Sequence, residues 1–145
     1  MKYVFPVLAL GLAGCTELGL TPAPKPEPVP QTATNAAPPP PRAARTVEQF
    51  DTTTEAQRAA ASQPASGGRS LGTEVASLGD PSQPGFWIET SLVDEVGAGR
   101  ITVATGQSAE VELRPTEGSA RVSLAAWRIL EVPLTELAEV EVFAN

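Results

Sequence analysis

The sequence contains a single cysteine, Cys15, and its neighbours give that thiol a specific chemistry. It follows the tripeptide Leu12–Gly14, at the end of an apolar run that starts at Val4. A leucine and two small residues before a cysteine form a lipobox, the signal for acylating the thiol after a leader peptide is removed. We therefore predict lipid attachment at Cys15. The alternative is an ordinary signal peptide with a cysteine nearby by chance.

The other side chains offer little for metal or nucleophilic chemistry. The chain has no histidine, and a lipidated cysteine cannot ligate zinc or copper. Asp94 and Glu95 offer carboxylates for calcium, but their loop lacks the alternating acidic spacing of a calcium loop. A nucleophilic serine or threonine needs a nearby base. In the absence of histidine, the lysine that would have to serve is Lys25, and it lies in a proline-rich segment. We predict no catalytic residue, no metal and no cofactor.

Glycoside cleavage would require two carboxylates on either side of a bound sugar. Glu110 and Glu112 lie on one face of a predicted strand, where charge normally faces water. We interpret them as surface charges. The acidic residues from which a catalytic pair would have to come are Asp80, Glu89, Asp94, Glu110, Glu112 and Glu117.

Two tryptophans and one arginine form the candidate ligand surface: Trp87, Trp127 and Arg121. Sugar sites often use aromatic faces, but a chain with only 5% aromatic residues usually buries them, and we favour the core interpretation. Arg121 could join Arg100 and Arg114 in a cationic patch for an anionic glycan. The three arginines could equally pair with the many glutamates.

Charge and hydropathy limit the partners and the location. The net charge of −7 disfavours nucleic acid, because phosphates are neutralised by clustered Lys and Arg. Residues 1–14 are typical of a lipoprotein signal peptide, and their apolar run is far shorter than the roughly 20 residues of a membrane-spanning helix. By similarity to other bacterial lipoproteins, Thr16 after the cysteine favours the outer membrane, with the domain in the periplasm.

Residues 15–45 are predicted to be a disordered, proline-rich tether. Prolines at alternate positions from 22 to 30, and at 38 to 41, fix φ and remove hydrogen-bond donors. In polyproline II, residues 21–41 would span about 60 Å. A ligand for a proline-reading groove is the less favoured interpretation. Residues 46–70 are predicted to be a short helix and linker, with a helix from Thr53 to Ala61 capped by Thr52 and Glu55.

Residues 71–145 are predicted to be a small β domain. Ala109, Val111 and Leu113 alternate with charged residues, which indicates a strand with one buried face. The same reasoning predicts strands at 73–78, 86–93, 100–103, 108–114, 120–122 and 140–143, with a helix from 123 to 130. The predicted fold is mainly β, a small closed barrel of about six short strands with one inserted helix.

The last part of the chain resembles the double-psi β-barrel of rare lipoprotein A. The similar segments are Thr105–Ser108, Val111–Leu113, Arg121–Ala126 and Val140–Val142. The resemblance implies a double-psi-like barrel. Lytic members of that family carry an aspartate just after the alternating strand, where this chain has Arg114 and Pro115. Glu117 is the nearest acid, so the catalytic carboxylate is not carried over.

The whole chain also resembles small alphaproteobacterial lipoproteins, some of which bear the label D-galactarate dehydratase. The shared segments are Gly72–Thr73, Gly79–Pro81, Pro84–Trp87, Ser123–Ala126 and Pro133–Thr135. That dehydratase is a much larger metal-dependent enzyme, and no residue here supplies its machinery.

We therefore expect a lipoprotein of the outer membrane with a non-catalytic β domain that binds the cell envelope or has a structural role. Its expected partners are the bilayer, through acylated Cys15, and peptidoglycan or an envelope protein. The alternative is a degenerate lytic glycosidase or transglycosylase that acts on peptidoglycan.

Overall fold

The computed structural model describes residues 37–64 and 67–145. The predicted signal peptide, Cys15 and most of the predicted tether lie outside the described residues. The elements are α1 Val47–Phe50, α2 Glu55–Ala61, β1 Arg69–Leu78, β2 Trp87–Thr90, β3 Gly97–Val103, β4 Ser108–Pro115, β5 Ala120–Val122, α3 Leu124–Ile129 and β6 Ala138–Ala144.

The six strands close into a barrel in the order β1-β5-β2-β4-β3-β6. The predicted mainly β fold, with a closed barrel and a helix inserted between the last two strands, is confirmed. Two neighbouring pairs are parallel, β1 with β5 and β2 with β4, and the other pairs are antiparallel. Closure leaves the barrel without an unpaired edge strand.

The strand order contains an internal symmetry. Exchanging β1 with β4, β2 with β5 and β3 with β6 reproduces the same cyclic order, and it exchanges the two parallel pairs. The barrel is therefore built from two interlocked units of three strands each.

The interior is filled by side chains that the alternating pattern of the strands predicted to face inward. Ala109, Val111 and Leu113 of β4 are buried, whereas Glu110 and Glu112 face outward and are partly exposed. Helix α3 and its C-cap add one apolar face, on which Leu124, Trp127 and Leu130 are all buried. The core is thus small and largely aliphatic, with Trp87, Trp127 and Phe86 as its largest fully buried side chains.

Three strand boundaries differ from the prediction by three residues or more. β1 begins at Arg69 because an irregularity between Ser70 and Gly72 lets its ladder with β6 continue. β3 begins at Gly97, since its partner β4 extends far enough to pair Gly97 with Leu113. The predicted strand 86–93 is shorter and ends at Thr90, where the Thr90 hydroxyl accepts a hydrogen bond from the Leu92 amide at 3.1 Å.

The predicted cap of the second helix is wrong. Thr54 is the N-cap of α2, and its hydroxyl accepts from the Gln57 amide at 3.2 Å while the Gln57 side chain accepts from the Thr54 amide at 2.8 Å. The predicted cap, Thr52, instead donates to the Pro38 carbonyl. Consecutive threonines at 52, 53 and 54 are similar in capping ability, so tertiary contacts decide which one starts the helix.

Candidate functional site

A charged surface covers the outer side of strands β5, β2 and β4. Glu89 of β2 lies opposite Arg121 of β5 and also opposite Arg114 of β4. Side chains alternate along a strand, so these three point outward while Ile88 is buried in the core. Together with Glu112 they form what we call the charged face, a row of arginine, glutamate and arginine across three neighbouring strands.

Ion pairs orient both arginines of the charged face. Arg121 Nη2 lies 2.8 Å from Glu89 Oε2, and Arg114 Nε lies 2.6 Å from Glu112 Oε1. The Arg121 side chain is 52% exposed, so its pair is a surface ion pair that contributes at most about 1 kcal/mol to stability. The pairs therefore act mainly by holding the guanidinium groups at the surface.

Trp87 lies beneath the charged face, with its ring next to the Arg114 guanidinium. Its ring is buried, although it starts from the outer side of β2, because the segment before the strand folds over it. Its Nε1 donates to the Gln83 carbonyl at 3.3 Å, and Arg114 Cζ lies 5.1 Å from the ring centroid. A Cβ on Gly79 would lie only 2.5 Å from the ring, so a glycine is needed where the chain passes over Trp87.

The structure separates the other members of the predicted ligand surface. Trp87 and Arg121 lie on neighbouring strands, but Trp127 is buried on α3 and donates from Nε1 to the Pro133 carbonyl at 3.2 Å. Arg100 lies on β3, with its guanidinium 4.5 Å from the centre of the Phe143 ring. Neither indole presents a face to solvent. Of the three arginines considered for a cationic patch, only Arg114 and Arg121 share one surface.

The candidate acidic residues take varied positions. Asp80 is exposed, and hydrogen bonds from the Ser82 hydroxyl at 2.7 Å and amide at 2.9 Å hold the pKa of its carboxyl below the usual value, with a smaller contribution from Arg121. Asp80 is therefore a stable anion near the charged face. Glu110 accepts a hydrogen bond from Asn145 at 2.8 Å. Asp94, Glu95 and Glu117 are exposed.

One polar cluster was missed from the sequence. Thr90 donates to Glu74 Oε2 at 2.5 Å and Ser91 donates to Glu74 Oε1 at 2.6 Å, and Thr90 is completely buried. A signal was available, because Glu74 has the same strand parity as buried Ala76 and so belongs to the inward-facing set. The hydroxyls offset the cost of placing a carboxylate there.

A second missed residue is Asp51, whose carboxylate is completely shielded from solvent. It receives Arg128 Nη1 at 2.7 Å, and Arg58 Nη1 lies 3.8 Å away. Arg128 is 77 residues further along the chain. No local pattern predicts a contact over that separation.

Among residues 37–64 and 67–145, no group of three or more acidic, histidine or cysteine side chains is arranged to hold a metal ion. No helix in the described part of the chain combines the length and the hydropathy needed to cross a bilayer. No protein family, curated protein or solved structure matches the chain.

Proposed function

We propose that this protein is an outer-membrane lipoprotein whose barrel domain binds a component of the cell envelope in the periplasm without cleaving it. Three features of the sequence support this location. They are the lipobox at Leu12–Cys15, the apolar leader before it and the proline-rich segment after it. Several acyl chains on one cysteine would anchor the chain stably, since each buried methylene contributes about 0.8 kcal/mol.

The observation that carries the binding role is the row of Arg121, Glu89 and Arg114. Each guanidinium group is paired with one carboxylate, and the side chains of Arg114 and Arg121 are 34% and 52% exposed, so N–H groups of both arginines remain accessible to a ligand. Guanidinium groups bind carboxylates through paired hydrogen bonds, and buried or oriented arginines do so more selectively than lysines. The proposed ligand is therefore an anionic, carboxylate-bearing component such as cell-wall peptidoglycan.

We also infer a relationship to the double-psi barrels of rare lipoprotein A. The internal symmetry of the strand order and the two parallel pairs support this relationship. Arg114 and Pro115 stand where the lytic members of that family carry their aspartate, which favours binding over cleavage.

The binding role is tested with purified peptidoglycan and the soluble chain lacking residues 1–15. We expect the protein to sediment with peptidoglycan, and Arg121→Ala to weaken the binding by about tenfold, as for loss of one charged hydrogen bond. Arg100→Ala is the matched control, because it removes the same charge from a different surface. Equal binding by the Arg121→Ala and Arg100→Ala proteins would exclude the charged face.

The same incubation tests for lytic activity. Release of soluble muropeptides would contradict a purely binding role and would identify a lytic glycosidase. Loss of that release in Glu117→Gln or Asp94→Asn would then assign the chemistry to those carboxylates.

A further inference from the structure

The segment of residues 37–62, which we call the strap, comprises the end of the predicted tether together with α1 and α2, and one carboxylate holds it to the barrel. Asp51 Oδ2 lies 2.7 Å from Arg128 Nη1 of α3 and 3.8 Å from Arg58 Nη1 of α2. Asp51 Oδ1 accepts hydrogen bonds from the amide and the hydroxyl of Thr53. The Asp51 carboxylate thus links two parts of the strap to each other and also links the strap to α3.

The environment of Asp51 makes this attachment specific. Its side chain has no exposure, whereas the side chains of Arg58 and Arg128 are 38% and 39% exposed. An ionised carboxylate removed from water must be paired and hydrogen-bonded, and losing one partner of such a pair is strongly destabilising. Asp51 can therefore occupy this position only while the strap lies against α3.

The strap also fits a groove on the barrel. Residues 50–53 line this groove together with Gln83, Pro84 and Gly85, and with Leu124 and Ala125 of α3. The start of the strap is held at the same place, since Thr52 donates to the Pro38 carbonyl. At the far end of the strap, Ala61 is completely buried in the core cluster.

We propose that the strap can detach from the barrel and that the ion pair of Asp51 holds it in place. The groove beside α3 is then a docking site for residues 50–53 of this same chain. If the chain is lipid-anchored, as proposed above, a pull on the tether acts on the docked strap before it acts on β1. Release would withdraw Ala61 from the core cluster while the strands of the barrel stay paired. It would lengthen the tether by tens of ångström, at roughly 3.3 Å per extended residue. The protein would then have a short and a long reach from the membrane.

Limited trypsin digestion of the full chain tests this proposal. Cleavage after Arg58, inside α2, reports release of the strap, and cleavage after Arg100, inside β3, reports unfolding of the barrel. We expect Asp51→Asn and Arg128→Gln each to raise the rate after Arg58 by about tenfold or more, with the rate after Arg100 unchanged. The double variant should add little to either single variant.

Glu55→Gln is the matched control, because it removes an exposed carboxylate from the first turn of α2. It should change cleavage after Arg58 by less than about twofold. The proposal is overturned if Asp51→Asn leaves that rate unchanged. It is also overturned if cleavage after Arg58 and Arg100 rises together, because the strap would then be part of one cooperative unit with the barrel.

Arg128→Lys keeps the charge but loses the planar fork, so it supplies a milder variant if Asp51→Asn does not fold. An intermediate rate after Arg58 is expected, and a wild-type rate would contradict the role of the ion pair. None of these rates depends on peptidoglycan binding, so failure of the strap proposal and failure of the proposed function give different results.

Discussion

Gly99 shows how closely the barrel is packed at the level of single atoms. It is buried in β3, and a Cβ at this position would lie 2.3 Å from the Phe143 carbonyl oxygen and 2.6 Å from Leu113 Cδ1. The first of these contacts is with backbone, which cannot move without disturbing the ladder between β3 and β6. Neighbouring strands can approach here only because residue 99 has no side chain.

We predict that Gly99→Ala lowers the free energy of unfolding by about 1–3 kcal/mol or more, the usual cost of overpacking a well-filled interior. Gly97→Ala is the control, because the same change in the same strand meets no atom within 4 Å and should be nearly neutral. Urea unfolding followed by tryptophan fluorescence measures both. Similar losses in the two variants would show that the close contact at residue 99 is not the cause, because residue 97 has no such contact.

At the residue scale, the sequence predicts burial well where periodicity decides it. The alternation of Ala109, Val111 and Leu113 correctly identified an inward-facing set. The partners of Asp51 and Glu74 could not be predicted in this way. Glu74 meets Thr90 because the barrel closes, and Asp51 meets Arg128 because the strap folds back across α3. Such contacts depend on topology rather than on local pattern.

At the scale of elements, Ser123 joins a strand to a helix. It is the N-cap of α3, and its hydroxyl accepts from the Ala126 amide at 3.4 Å. The same oxygen accepts from the Trp87 amide at 3.1 Å, and the residue is completely buried. Since this amide belongs to β2, one hydroxyl sets the position of the helix relative to the barrel wall.

We predict that Ser123→Ala destabilises the protein by about 1–3 kcal/mol, because it leaves a buried Trp87 amide without its acceptor. Thr54→Ala removes a cap from α2 at an exposed position, and it should cost about 1 kcal/mol or less. Thermal unfolding of the two variants checks the difference. A larger effect of Thr54→Ala would contradict the assignment of Ser123 as the joint between β2 and α3.

The elements themselves were largely predictable, whereas their ends were not. Strand β5 agrees with the predicted segment 120–122, because a short apolar alternation lies between a loop and a capping serine. The N-terminus of α2 was misplaced because three neighbouring threonines offer the same hydroxyl. The charged face could be predicted only in part, since its arginines were recognisable but their register with Glu89 depends on strand pairing.

At the scale of the whole molecule, the proposed lipid anchor and the barrel lie in separate parts of the sequence. Residues 69–144 form the complete barrel, and the predicted attachment point is Cys15. A change in the anchor should therefore alter the location of the protein and leave the barrel intact.

We predict that Cys15→Ser abolishes incorporation of a fatty-acid analogue and shifts the protein from the membrane pellet to the soluble fraction. A single residue has this effect because the anchoring energy comes from its acyl chains. The melting temperature of the variant barrel should equal that of the wild type. Unchanged labelling and sedimentation of the variant would refute the lipid anchor.

The pairing of the strands also determines when the barrel can form. Of the six ladders, only that between β3 and β4 joins strands that follow one another along the chain. The first strand must wait for β5 and β6, which are made last, and such non-local pairing slows folding. A chain emerging from a ribosome therefore cannot close its barrel until β6 has been made, because β6 pairs with both β1 and β3.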